Sequence, residues 1–76
     1  MNTGSMAITN DATYRFQGSE YLATLEEDSI VLASFQRLPI NQVDDEPSLF
    51  LYGNDGSIRD DGGTVVGAYN DLELIA

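Results

Sequence analysis

Carboxylates are the chemically active side chains that this sequence supplies in quantity. Its 76 residues include 13 Asp and Glu against three Arg, and there is no Cys, His, Trp or Lys. The chain therefore has no thiol nucleophile, no imidazole base, no Schiff-base lysine and no nitrogen or sulfur ligand for zinc. Only carboxylates, hydroxyls, phenols and guanidinium groups remain for chemistry.

Paired carboxylates perform acid–base catalysis when a cleft holds them at a fixed separation and raises the pKa of one of them. In this sequence the acids come in twos and threes between apolar runs, at predicted turns where carboxylates stay solvated and ionised. A chain of this length also has little material with which to wall a cleft. We therefore predict that the protein is not an enzyme and uses no cofactor.

The segment 54–62 contains several of the oxygen ligands that calcium prefers. No register of the segment gives the ligand spacing of an EF-hand loop, with its central Gly and closing Glu. Two consecutive hairpin turns account for the same residues, so we predict no metal site there. Gly62-Gly63-Thr64 lacks the lysine of a phosphate-binding loop.

The net charge of −10 decides which partners the protein attracts. Three scattered arginines cannot neutralise enough phosphates for direct binding to nucleic acid. The charge favours a basic partner, solubility in high salt or colloidal stability. A basic, nucleic-acid-binding protein is the partner we predict, blocked by carboxylates that imitate phosphates. Small acidic inhibitors of this nucleic-acid-mimic type, directed against restriction or CRISPR proteins, are typical of phages and mobile elements.

Charge density limits this hypothesis. The surface scaling law gives an 8.3 kDa monomer about 4,600 Å² of exposed surface, or about 460 Å² for each net charge. Duplex DNA has about 110 Å² for each charge. Evenly spread acids cannot resemble DNA, so mimicry requires that the acids cluster.

Turn signals at short intervals divide the chain into short strands. Polar and apolar residues alternate over 13–17, and Asn54-Asp55-Gly56 suits the positive φ angles of a tight hairpin. The predicted strands are 13–17, 20–25, 29–36, 48–52, 57–59, 64–69 and 72–75. We predict an all-β fold, a small antiparallel meander that forms a barrel or a sandwich.

One segment fits two structures. Tyr21, Leu22 and Leu25 have helical spacing, whereas Tyr21, Ala23 and Leu25 share one face of a strand. An α+β fold with a short helix over Ser19–Asp28 is therefore the alternative to the all-β fold.

We predict a flexible leader over residues 1–10 and a single small β-rich domain over 11–76. Gly4-Ser5-Met6 resembles a cloning junction ahead of a native start at Met6. No apolar run is long enough to span a membrane, and no signal peptide is recognisable. Because small secreted domains usually need disulfides, the lack of Cys favours a cytoplasmic location, in the host cell if a phage encodes the protein.

Successive turns of a meander alternate between the two ends of its sheet, which sorts the acids into two groups. The predicted partner-binding group, at one end, is Glu20, Asp44, Asp45, Glu46, Asp60 and Asp61. The group at the other end is Glu26, Glu27, Asp28, Asp55 and Asp71. Strands of five or six residues separate the ends by about 17–20 Å, so one acidic face joining both ends is an alternative.

Two rival functions use other features. A structural or accessory protein of a virion or complex would associate, or form homo-oligomers, through strand edges such as Ser48–Tyr52 or Thr64–Tyr69. A halophilic domain would use its acids for solvation alone. Salt distinguishes the three, because it weakens binding by a mimic, leaves edge pairing intact and stabilises a halophilic domain.

Overall fold

The computed structural model describes residues 7–39 and 46–75, and these form seven antiparallel strands in a single sheet. The strands are β1 (Thr13–Phe16), β2 (Ser19–Leu25), β3 (Val31–Arg37), β4 (Leu49–Tyr52), β5 (Ser57–Asp60), β6 (Val65–Ala68) and β7 (Glu73–Leu74). A 3₁₀ turn, Tyr69–Asp71, joins β6 to β7. The described residues include no helix with the length and apolar character of a membrane span.

The predicted all-β fold is confirmed, as a curled half-barrel. The α+β alternative is wrong, because Ser19–Leu25 forms a strand that pairs with β1 on one side and β3 on the other. Tyr21 and Leu25 therefore follow the strand pattern. Pairing on both sides gives the backbone N–H and C=O groups more hydrogen bonds than an isolated helical turn would.

The strand order in the sheet is β6-β5-β4-β3-β2-β1-β7. The chain runs as a meander from β1 to β6. Strand β7 then returns to pair with the edge of β1 that β2 leaves free. The sheet curls until β6 approaches the end of β1, where Gln17 Nε2 donates a hydrogen bond of 2.8 Å to the carbonyl of Val66. We call this contact between Phe16, Gln17, Val66 and Gly67 the seam.

The inner face of the curled sheet holds the hydrophobic core. Alternation in β1 sets the pattern: Tyr14 and Phe16 are buried and Arg15 between them is exposed. Tyr14 packs edge-to-face against Phe35, with ring centroids 6.0 Å apart. The buried core residues are Ile8, Ala12, Tyr14, Phe16, Ala23, Ala33, Phe35, Leu49, Leu51 and Ile58.

The segment before β1 also packs on the sheet. Ile8 belongs to the core, the Thr9 N–H donates to the Tyr14 hydroxyl, and Asn10 Oδ1 accepts from the Leu25 N–H. The predicted leader, residues 1–10, thus includes three residues that contribute to the packed domain. Residues 1–6 lie outside the described residues.

Of the two predicted sheet edges, one is an edge in the structure and the other is not. Ser48–Tyr52 is not an edge, because β4 pairs with β3 on one side and β5 on the other. Strand β6 is an edge, within the predicted segment Thr64–Tyr69. Side chains already occupy part of it: Gln17 binds the Val66 carbonyl, and Asp71 Oδ2 accepts from the Ala68 N–H at 3.0 Å. Such cover reduces the backbone available for pairing with another chain.

Candidate acidic binding groove

The structure gives Glu20 a partner within the chain. Glu20 lies opposite Arg15 in the β1–β2 ladder, and their charged groups are 3.8 Å apart. Arg15 also lies 3.4 Å from Glu73. Exposed pairs of this kind contribute little to stability, but they place a positive charge beside Glu20. This side of the sheet is consequently less attractive to a cation than its acid count suggests.

Asp60 builds a turn. Its Oδ1 accepts hydrogen bonds from the backbone N–H groups of Gly62 and Thr64, both at 2.9 Å. The turn also needs a positive φ of 90° at Gly63, which glycine adopts without strain. The lone pairs that Asp60 uses here are not available to a partner.

Asp55 stabilises the turn of the preceding hairpin in the same way, by accepting hydrogen bonds. Its carboxylate accepts hydrogen bonds from the Ser57 N–H at 3.0 Å and the Ser57 hydroxyl at 2.8 Å. These bonds, together with the Arg59 guanidinium 3.7 Å away, lower the pKa of Asp55 from its ordinary value of 3.8. The segment 54–62 thus contains two hairpin turns stabilised by aspartates, as its spacing predicts.

Glu46 and Asp61 come together in a groove of about 420 Å³ on the outer face of the sheet. Asp44 and Asp45, the remaining members of the predicted group, lie outside the described residues. We call the cavity the acidic groove. Its described lining is Glu26, Asp28, Val31, Glu46, Pro47, Phe50 and Asp61.

Phe50 of β4 is the aromatic residue in the described lining of the acidic groove, and together with Val31 and Pro47 it forms the apolar part that we call the floor. In the ladders it is paired with Ser34 of β3 on one side and with Arg59 of β5 on the other. A β-bulge between Val31 and Ala33 shifts the register of β3. As a result Val31 and Ser34, three residues apart, both lie on the outer face, which a regular strand does not allow.

Two of the acids come from the turn between β2 and β3. The buried Ser34 hydroxyl donates a hydrogen bond of 2.6 Å to Glu26 Oε2, and this bond holds the Glu26 carboxylate against the outer face. Asp28 Oδ1 accepts from the Ile30 N–H at 2.8 Å, closing a local turn. Glu26 and Asp28 are therefore fixed in position by their own neighbours.

The other two acids come from the opposite end of the sheet. Glu46 precedes β4, and Asp61 follows β5. Both are exposed, and neither forms a hydrogen bond or ion pair with another described residue in the structure. The acidic groove thus takes acids from both ends of the sheet, and of the group predicted at one end it contains Glu46 and Asp61.

The arginines are arranged so that the acidic groove stays negative. All three are described, and none of them lines it. Arg15 pairs with acids on the β1 side. Arg59 lies on the outer face but turns away, with its guanidinium carbon 4.9 Å from the centre of the Tyr52 ring and its nitrogen near Asp55. Four carboxylates therefore surround an apolar floor without an arginine among them.

This arrangement suits a large cationic partner. The carboxylates enter from opposite ends of the sheet, so they are spread along the acidic groove and can meet several positive groups at once. Among the described residues, no three carboxylates are grouped in a way that would hold a metal ion. Val31, Pro47 and Phe50 add apolar surface that a partner buries on contact.

A second cavity, of about 340 Å³, lies between the N-terminal segment and the 3₁₀ turn. Its described lining is Ala7, Thr9, Tyr14, Tyr69, Asn70, Leu72 and Leu74. None of these side chains is charged, so this cavity does not share the chemistry of the acidic groove.

Glu26 and Asp28 fall outside the predicted partner-binding group because the order of turns in a meander sorts acids by sheet end and not by face. The available signal was the short acidic run Glu26-Glu27-Asp28 ahead of a strand in which Ser34 is the polar residue between Ala33 and Phe35. No protein-family model, curated protein or solved structure matches the chain.

Proposed function

We propose that the protein is a non-enzymatic inhibitor that binds a basic, nucleic-acid-binding partner protein through the acidic groove. The observation that carries the proposal is the set of four carboxylates around Phe50, with no described arginine among them. A basic surface that normally binds phosphates meets these carboxylates instead. Occupation of that surface prevents nucleic acid from binding there.

Local concentration of charge matters more than the total. The chain exposes 4950 Å² for ten net charges, about 495 Å² each, whereas duplex DNA has about 110 Å² for each charge. The whole surface is thus too dilute to resemble nucleic acid. The acidic groove brings four negative charges to one cavity, and this is the feature that supports mimicry.

Ion pairs alone do not account for tight binding. An exposed pair contributes about 0.2–1 kcal/mol, so four pairs give at most about 4 kcal/mol, which corresponds to a Kd of about 1 mM. The apolar floor must supply the rest through burial, at about 25 cal/mol for each Å². The charges then mainly steer the partner and set the orientation of binding.

The proposed biological setting is that of an anti-restriction or anti-CRISPR protein encoded by a phage or mobile element. It would act in the host cytoplasm, where the target protein meets nucleic acid. The protein itself binds no nucleic acid in this proposal, because its net charge repels phosphates.

The test uses the full chain as bait in a lysate and then asks whether DNA competes for the captured partner. The groove variant Glu46→Gln/Asp61→Asn should lose most of the capture, and DNA should displace the wild type. The control variant Glu20→Gln/Asp11→Asn removes the same charge from the β1–β2 side and should capture normally. Asn is suitable at position 11 because it tolerates the φ of 67° found there.

Salt provides a second criterion. Capture by the wild type should weaken steeply between low and high salt, because solvent-exposed charges are screened over about 10 Å at 0.1 M. Capture that resists salt, or a partner that holds DNA and this protein together without loss, contradicts the proposal. Salt-resistant capture would favour association through a strand edge instead.

A further inference from the structure

The charge of the acidic groove predicts only that a cation binds there. The apolar floor indicates which kind of cationic side chain fits. Carboxylates stand at both ends, and Val31, Pro47 and the half-buried Phe50 form the apolar part of the lining. A side chain that complements this cavity is apolar along its stem and cationic at its tip. Lysine and arginine both meet that description, so the aromatic floor must decide between them.

The outer face already contains one arginine bound in this manner. Tyr52 lies two residues after Phe50 on β4, and the two rings share a face of the strand. The Arg59 guanidinium carbon lies 4.9 Å from the Tyr52 ring centre, and its Nη2 is 3.7 Å from Asp55 Oδ2. An aromatic ring with a nearby carboxylate is thus occupied by an arginine of the chain itself.

The acidic groove repeats that combination next to the first one. Phe50 takes the place of Tyr52, and Glu46 and Asp61 take the place of Asp55 without hydrogen bonds to other described residues. Resting on the proposed function, we infer that the acidic groove binds an arginine side chain of the partner, with its guanidinium over Phe50. The partner segment is therefore rich in arginine and not merely basic.

Arginine suits this site better than lysine for two physical reasons. Its planar guanidinium stacks on an aromatic ring, and it donates two parallel hydrogen bonds to a carboxylate. Lysine is a compact, strongly hydrated point charge that gains less from either contact. A cation–π contact at an exposed aromatic ring corresponds to about a two- to fivefold gain in affinity, and we expect arginine to exceed lysine by about this factor.

The experiment compares two capped heptapeptides, Gly-Arg-Gly-Arg-Gly-Arg-Gly and its lysine counterpart, which carry the same charge. NMR titration of the full-length protein at low salt measures both affinities. The arginine peptide should bind about two- to fivefold more tightly, and its δ-methylene protons should move upfield because the Phe50 ring shields them. Phe50→Leu should abolish this preference while the lysine peptide binds as before, and Phe50→Tyr should preserve it.

The ratio of the two affinities is the decisive quantity, because partial unfolding of a Phe50 variant reduces both by the same factor. Equal affinities in the wild type, or a preference that survives Phe50→Leu, overturn the arginine inference. If both peptides bind equally and Glu46→Gln/Asp61→Asn weakens both, the proposed function stands and only the arginine inference fails. If neither peptide nor any lysate protein binds the acidic groove, the proposed function fails as well.

Discussion

Gly67 at the seam is a position where a single added methyl group should damage the fold. An ideal Cβ there would lie 2.6 Å from Cζ and 2.7 Å from Cε1 of Phe16, and 3.0 Å from Oδ2 of Asp71. Carbon atoms in optimal contact are about 3.5–4.0 Å apart. Phe16 is 2% exposed and packs in the core, so its ring cannot move away without disturbing its neighbours.

Two effects set the size of the loss for Gly67→Ala. Overpacking costs about 1–3 kcal/mol. The loss of backbone freedom in the unfolded chain offsets about 0.4–1 kcal/mol of this. The midpoints of these two ranges leave a net destabilisation of about 1.3 kcal/mol, and for a domain of this size it lowers Tm by about 5–10 °C.

Thermal unfolding followed by circular dichroism measures the effect. Gly53→Ala is the matched control, because its Cβ would meet Leu32 Cβ at an ordinary 3.5 Å. Its Tm should stay within a few degrees of the wild type. The double variant Gly67→Ala/Phe16→Leu should lose less than the sum of its single variants, since the leucine lacks the clashing ring atoms. A Tm for Gly67→Ala at or above that of the wild type refutes the close packing at the seam.

Two further predictions concern the aspartates in the turns. Asp60→Ala should lower the free energy of unfolding by about 1–3 kcal/mol, because two backbone N–H groups lose a charged acceptor. The neighbouring Asp61→Ala should change it by no more than about 0.5 kcal/mol. Urea unfolding measures both, and equal effects would contradict these separate roles. The lowered pKa of Asp55 means that its ionised form stabilises the fold above the ordinary value of 3.8, and that this contribution is lost as the pH falls through the lower folded value. The Tm difference between the wild type and Asp55→Ala should therefore be constant well above pH 3.8 and shrink below it. A difference that does not change with pH would show that the hydrogen bonds to Ser57 do not depend on the charge of the Asp55 carboxylate.

Local patterns were sufficient to predict most of the strands. Alternation around Tyr14 and Phe16 marked β1, and the turn chemistry of Asn54-Asp55-Gly56 marked the hairpin before β5. Pairing of β7 with β1 was not predictable, because it joins residues as far apart in the chain as Tyr14 and Leu74, sixty positions. No local signal specifies such a contact.

The acidic groove depends on details of the same kind. Sorting acids by sheet end follows from topology alone, but membership of a face depends on register. The bulge between Val31 and Ala33 changes that register by one residue, and a change of one residue exchanges the two faces of a strand. Val31 consequently lies on the same face as Phe50 and lines the acidic groove, where the Ser34 hydroxyl holds Glu26. A sequence pattern that assumes regular strands cannot anticipate this.

The most direct test of the central claim is to locate the binding surface for a cationic ligand. The ¹⁵N-labelled protein is titrated with the arginine heptapeptide at low salt, and the amide shift changes are mapped residue by residue. We expect the largest changes at Glu26, Asp28, Val31, Phe50 and Asp61, and their loss in Glu46→Gln/Asp61→Asn. Changes spread evenly over all exposed acids, or centred on the β1–β2 side, would contradict the account.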